Sequence, residues 1–313
     1  MSLALVAMSH SPLLDYVQPA PEVTQELIGV FDRARAFVTE IDPELVITFA
    51  PDHYNGFFYE VMPPSCIGTS AFGVGDYGSA EGALPVRTDL AQDLAARVLE
   101  SDIDVAVSHL MALDHGAVQP LETLFGGVDA VPIIPVFVNG VAPPFAPMRR
   151  MRLLGEAIGR WAAARPERIL LVASGGLSHD PPVPQWATAD ERARELLLAG
   201  KNPPAEVRAA RQQRVIDTAH AFAAGTATIR DLNPEWDQAF MGDCASGDVG
   251  RFDAYVADEM AEQAGHSSHE VRAWVAAFSA LAAAGAYAIG ERFYRPIPEY
   301  IAGFGVMTAT TED

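Results

Sequence analysis

The sequence predicts an α/β fold: a mostly parallel or mixed central sheet with helices on both faces, and a helical elaboration in the C-terminal third. Two observations carry this. As far as Ala173, short apolar β-rich runs alternate with longer segments of helical periodicity, the pattern of crossover-connected strands. One of those runs, Val131–Val138 (VPIIPVFV), is continuously apolar, as suits a strand buried on both faces. After Asp180 the character changes to successive helical patterns. No internal repeat and no low-complexity linker divides the chain, so one domain spanning 1–313 is expected.

The elements follow in order. The first strand runs through the apolar stretch from Leu3 to Met8. A helix from about Pro21 to Thr39 places Leu27, Val30, Phe31, Ala34 and Phe37 on one side. Leu45–Ala50 is the second strand, followed by a Gly-, Pro- and Ser-rich stretch from Pro63 to Gly82 that reads as a long functional loop. Leu90–Leu99 is helical and Val105–Leu110 extended. Past Val131–Val138, a helix from about Met148 to Ala164 leads into the strand Ile169–Ala173. Thr188–Gly200, Ala205–Thr226, Arg251–Ala264 and Ser268–Ala284 read as helices, the last the most apolar. Tyr294–Thr308 reads as extended segments broken by Pro296, Pro298, Gly303 and Gly305.

Composition narrows the function. The formal charge is −20 over 313 residues, which disfavours nucleic acid and anionic membrane surfaces as partners. Lys201 is the single lysine, so arginine carries nearly all the positive charge. An acidic protein acting on an acidic small molecule needs one or two local arginines whatever its net charge. Cys66 and Cys244 share no metal-ligand spacing, and no secretory signal or membrane-length apolar run is visible, so a cytoplasmic location is expected.

Four of the eight histidines end apolar, strand-like runs: His10, His53, His115 and His179. The carboxyl ends of strands in an open α/β sheet form the crevice where ligands bind. Imidazole is the commonest metal ligand and titrates near neutrality. His10 (Ser9-His10-Ser11-Pro12) and His53 (Asp52-His53-Tyr54-Asn55-Gly56) lack one carboxylate to make a two-histidine, one-carboxylate iron site. Spacing leaves that carboxylate open among Asp52, Asp114, Asp180 and Glu270. Glu270 opens the most apolar helix, where the helix dipole favours an anion. His115 and His179 sit beside glycines and suit general acid and base work near a metal. Each histidine singly also fits a plain core or loop role, and Glu270 a plain helix start. Ser174 lacks the G-x-S-x-G elbow of a serine hydrolase, and Gly175-Gly176 lacks phosphate-loop spacing. Arg292 and Arg295 read first as solvated surface arginines. Trp186, Trp236 and Trp274 read as core or interface.

The segments Met8-Ser9-His10-Ser11-Pro12-Leu13, Ala50-Pro51-Asp52-His53-Tyr54-Asn55-Gly56-Phe57-Phe58, Asp114-His115-Gly116, Ser174-Gly175-Gly176-Leu177-Ser178-His179 and Tyr294-Arg295-Pro296-Ile297-Pro298-Glu299 carry a resemblance. With them the chain is similar, over essentially its whole length, to the class III extradiol ring-cleavage dioxygenases, the superfamily of the protocatechuate 4,5-dioxygenase β subunit. The resemblance implies a single α/β catalytic domain, Fe(II), and extradiol opening by O2 of a catechol bearing a propionate or propenoate side chain, within aromatic catabolism. It further implies His10 and His53 as imidazole ligands of iron, Glu270 as the carboxylate ligand, His115 as proton donor and His179 as proton acceptor. From the residues alone, a metal-dependent hydrolase or a non-catalytic binding protein on the same fold remains open. The apolar helix Val271–Ala284 and the aromatic C-terminal segment suggest a subunit interface, hence a homo-oligomer.

Overall fold

The computed structural model describes residues 3–312. Its centre is an eight-stranded mixed sheet. Four strands form a parallel core in the order β1 (Ala4–Met8), β9 (Ile169–Ser174), β2 (Leu45–Ala50) and β8 (Ile133–Val138). Beyond β1 lie β11 (Ala302–Thr311) and β10 (Tyr287–Ile297), both running antiparallel to their neighbours. Beyond β8 lie β3 (Ser65–Gly68), antiparallel to it, and the short β6 (Ala106–Ser108).

Every residue of the four core strands is buried, so these strands are apolar on both faces. The period of two sorts their side chains. Leu5, Ala7, Leu45, Ile47, Phe49, Leu171 and Ala173 face one core, and Ala4, Val6, Met8, Val46, Leu170 and Val172 the other. On the second face α1 (Pro21–Ile41) buries Val23, Leu27, Val30, Ala34 and Val38, the 3–4 spacing of one helical stripe. On the first face α2 (Thr88–Glu100), α4 (Met148–Ala163), α7 (Pro234–Ser246) and α9 (Val271–Ala284) pack together. The α4–α9 crossing is close because Gly155 and Gly159 lack side chains: a Cβ on either would lie 2.0 Å from a carbonyl oxygen of α9, that of Ala276 or Ala280. Helix α9 is thus covered by α4 and the sheet, so its apolar surface is no evidence for an interface between copies.

The stretch from Pro63 to Gly82 departs from the expected loop. It contains β3 and two strands of a second, three-stranded sheet, β4 (Ala71–Val74) and β5 (Glu81–Leu84), completed by β7 (Met111–Leu113). Strands β4 and β7 are parallel, with Gly73 beside Leu113. Their carboxyl ends therefore deliver Asp76 and His115 side by side. His115 is also the first residue of α3 (His115–Phe125), whose N-cap is Asp114, rather than the exit of a central-sheet strand. Two polar helices, α5 (Glu191–Ala199) and α6 (Ala205–Ala223), lie over the carboxyl edge of the central sheet, and α8 (Ala257–Ala264) precedes the Ser268–Glu270 turn. Among the described residues no helix is long and apolar enough to cross a membrane.

Candidate active site

Three neighbouring parallel strands end on one edge, and each delivers a histidine there. His10 follows β1, His53 follows β2 and His179 follows β9. Glu270 enters from the turn before α9, not from the first turn of that helix. Its backbone is clasped between two glycines: a Cβ on Gly140 would lie 2.8 Å from Glu270 Cα, and one on Gly175 2.7 Å from Glu270 O. All four residues, with His115, line one cavity of about 630 Å³.

The buried partners of each ring decide which nitrogen faces the cavity. Ser174 Oγ donates to Gly116 O, so its oxygen accepts Nδ1–H of His10 at 2.9 Å. His53 Nδ1–H donates to Asp114 Oδ2 at 3.0 Å, and His179 Nδ1–H to Leu177 O at 3.0 Å. Each ring is left with Nε2 turned inward. Those three nitrogens converge on one carboxylate: His10 Nε2 lies 3.6 Å from Glu270 Oε2, while His53 and His179 Nε2 lie 3.1 and 3.0 Å from Glu270 Oε1. Lone pairs and carboxylate oxygens this close repel unless a cation, proton or metal, sits among them. Two imidazoles and a carboxylate, each held from behind, fit a divalent ion with open positions. Gly116 leaves room for the rings, since a Cβ there would lie 3.1 Å from His53 Cε1 and 3.3 Å from His10 Cε1.

Electrostatics follow the same division. Burial pushes His10 down to about 3, keeping it neutral as a ligand must be. Burial also acts to lower His53, but Asp114 and Glu270 outweigh it and the net shift is well upward. For His179 burial again opposes, and Glu270 beside it turns the net direction upward. Burial alone would raise Glu270, yet the surrounding histidines hold it well below the usual carboxylate range.

His115 stands apart in support. Its Nδ1 meets Asp76 Oδ2 at 2.6 Å and its backbone N–H donates to Asp76 Oδ1 at 2.8 Å. Its ring stacks on His53 with centroids 4.6 Å apart, and its nitrogen lies within 4.8 Å of those of His10 and His53. Tyr77 meets the His115 ring edge-on.

The other carboxylates weighed from sequence have different work. Asp52 accepts from the backbone N–H groups of Asn55, Gly56 and Phe57, shaping the turn after His53. Asp114 orients His53 and caps α3, and Asp180 binds His266. Residues the sequence reading did not single out complete the site. Asp76 fixes His115, and Ser174, weighed only as a nucleophile, fixes His10. Asp237 accepts from Ser178 N and Oγ at 2.7 Å each, holding the loop that carries His179. Arg292 binds Gln238 and Arg295 pairs with Glu26, both away from the cavity. Trp236 and Trp274 are core, whereas Trp186 is exposed.

The family described as the catalytic LigB subunit of aromatic ring-opening dioxygenase matches residues 4–305. A protein of Rhodococcus rhodochrous named 2,3-dihydroxyphenylpropionate/2,3-dihydroxicinnamic acid 1,2-dioxygenase is 59% identical over 310 residues, covering 99% of this chain and 98% of its own. Proteins of the same name from Rhodococcus globerulus and Paraburkholderia phymatum are 56% and 54% identical. The first of these alignments covers 100% of both chains, the second 99% of this chain and 98% of the relative.

Proposed function

The chain belongs to the aromatic ring-opening dioxygenase family of the catalytic LigB subunit and is an extradiol catechol dioxygenase; from that premise we propose that its substrates are 3-(2,3-dihydroxyphenyl)propionate and the propenoate analogue, opened by O2 to 2-hydroxy-6-oxonona-2,4-dienedioate or the corresponding triene, with Fe(II) held by His10, His53 and Glu270. The substrate class follows the names of relatives that align end to end. One observation supports the site above all: three inward Nε2 atoms converge on a buried carboxylate at one sheet edge. Bound Fe(II) would supply open coordination positions and the redox chemistry that lets a catechol react with O2.

The chain's own groups do the rest. His179 Nε2, its far nitrogen tied to Leu177 O and its basicity raised beside Glu270, accepts a catechol hydroxyl proton. His115 Nε2 faces the same cavity from the opposite support, with Asp76 fixing its tautomer and angle, and delivers a proton to oxygen as the ring opens. Separating donor and acceptor on two rings lets each hold one protonation state at the start of turnover. Leu13, Val183, Leu196, Leu197, Val207 and Val215 supply an apolar wall that excludes water from the reacting ring.

The test is product formation by anaerobically Fe(II)-loaded protein exposed to air with catechol, 3-methylcatechol and 2,3-dihydroxyphenylpropionate. Yellow ring-opened product with a clear preference for the carboxylated catechol supports the reading. Equal turnover of all three contradicts the assigned substrate, and no product from any contradicts the function.

A further inference from the structure

The positive charge of this acidic chain is unevenly used. Most arginines near a carboxylate are paired with it: Arg33 with Glu291, Arg152 with Asp253, Arg165 with Glu167, Arg168 with Asp42. Four others line the cavity, Arg192, Arg208, Arg211 and Arg214, and among the described residues none of them makes an ion pair.

Two of the four are half-buried and point along one helix face. Arg208 and Arg211 are three residues apart on α6 and so adjacent on its surface. Arg211 donates through NH2 to the backbone oxygen of His53 at 3.3 Å, and Arg208 through NH1 to that of Val74 at 2.8 Å. Each uses one of the five N–H groups of a guanidinium, leaving the planar fork free for an acceptor. Arg211 also acts electrostatically on Tyr77, the ring set against His115. Its guanidinium therefore touches the backbone of His53, and both residues line the cavity. A propionate arm carries its carboxylate roughly 4 Å beyond the aromatic ring, toward the wall of the cavity that holds the ring.

We propose that Arg211, assisted by Arg208, receives the side-chain carboxylate of the catechol substrate and so sets the enzyme's preference for carboxylated catechols. This rests on the ring-cleavage reading above. A half-buried cation with no carboxylate of its own among the described residues gains most from a ligand that supplies one, and its fork fits that group through two parallel hydrogen bonds. The exposed Glu206 on the same helix sits two residues from Arg208 and does not share its face.

The experiment compares kcat/KM for 2,3-dihydroxyphenylpropionate and for the uncharged 3-ethylcatechol in Fe(II)-loaded wild type, Arg211→Gln, Arg211→Lys and Arg208→Gln. Anaerobic calorimetric binding of both compounds accompanies it. The ratio of carboxylated to uncharged substrate is expected to fall by about 100-fold in Arg211→Gln, chiefly through KM and Kd, with Arg211→Lys between it and wild type. Arg208→Gln is expected to lower the ratio less. A ratio that stays at the wild-type value, whether both substrates are lost together or neither is, overturns the assignment. Wild-type protein that cleaves both catechols without preference also overturns it while leaving the ring-cleavage function standing. Wild-type protein that cleaves neither refutes the underlying function instead.

Discussion

A single methyl group added at Gly175 tests whether Glu270 must stand where it does. The new Cβ would lie 2.7 Å from Glu270 O and 3.0 Å from both its carbonyl carbon and its Cβ. Ordinary contact begins near 3.4 Å, so one of the two backbones must move by 3.4 − 2.7, or about 0.7 Å. Gly175 is pinned by Trp274, whose Nε1–H donates to its carbonyl at 3.1 Å. The strain therefore falls on Glu270, whose other side is already tight against Gly140. Overpacking of this kind costs about 1–3 kcal/mol of stability. A misplacement approaching 1 Å at a catalytic constellation costs about 10²-fold in rate. Gly175→Ala should thus fold, melt somewhat below wild type, bind Fe(II) more weakly and lose roughly 10²-fold in kcat/KM. The assay combines thermal melting, metal analysis after anaerobic loading and steady-state kinetics. Gly29→Ala, where the nearest neighbour is a flexible Arg33 nitrogen at 3.5 Å, serves as the neutral control. A Gly175→Ala protein with lowered melting but full iron content and full activity would refute the role given to Glu270, and would favour His115 as the third ligand beside His10 and His53.

His115→Ala and His179→Ala should each lower turnover by roughly 10²–10⁴-fold while retaining iron, and loss of iron from either would break the division between ligands and proton carriers. Metal affinity should rise as pH is raised above 6.5, because Asp114 and Glu270 hold His53 protonated without metal and it must release that proton to bind; Co(II) binding that does not change with pH contradicts this. His269 is pushed by burial down to about 3, with its ring against Phe145 and Nδ1 unpartnered. A depressed folded-state value means stability present above 6.5 and lost as pH falls toward 3. Wild type should therefore lose about 2 kcal/mol by pH 5 that His269→Gln does not, as read from urea midpoints at pH 8 and pH 5. An identical pH dependence in the two proteins argues against a buried neutral imidazole.

The parallel core was legible because its strands are buried on both faces and carry uninterrupted apolar runs, and three of them end in histidine. The second sheet was not. β4 (AFGV) and β5 (EGAL) are four residues each and glycine-bearing, too short for a period of two to show, so Asp76 stayed hidden in an apparent loop. Helix α3 had a readable signal in its N-cap, Asp114 directly before His115, but Pro120 inside the helix obscured it. Helix α7 also announced itself through Asn233-Pro234 with Glu235 and Asp237 in its first turn, and went unread because its apolar residues form no single clean stripe. Glu270 was reachable from sequence only through its surrounding motif. Its partners lie 91 residues or more upstream at His179, Gly176, His53 and His10, joined by the path of β9 and α9 rather than by any local spacing.

This protein opens a catechol ring with dioxygen. Oxygen consumed per catechol, measured side by side on Fe(II)-loaded and Zn(II)-loaded protein, tests it most directly. Iron-loaded protein should take up one O2 for each 2,3-dihydroxyphenylpropionate consumed, and zinc-loaded protein should show neither oxygen uptake nor turnover. Substrate turnover by the zinc form without oxygen uptake would contradict it.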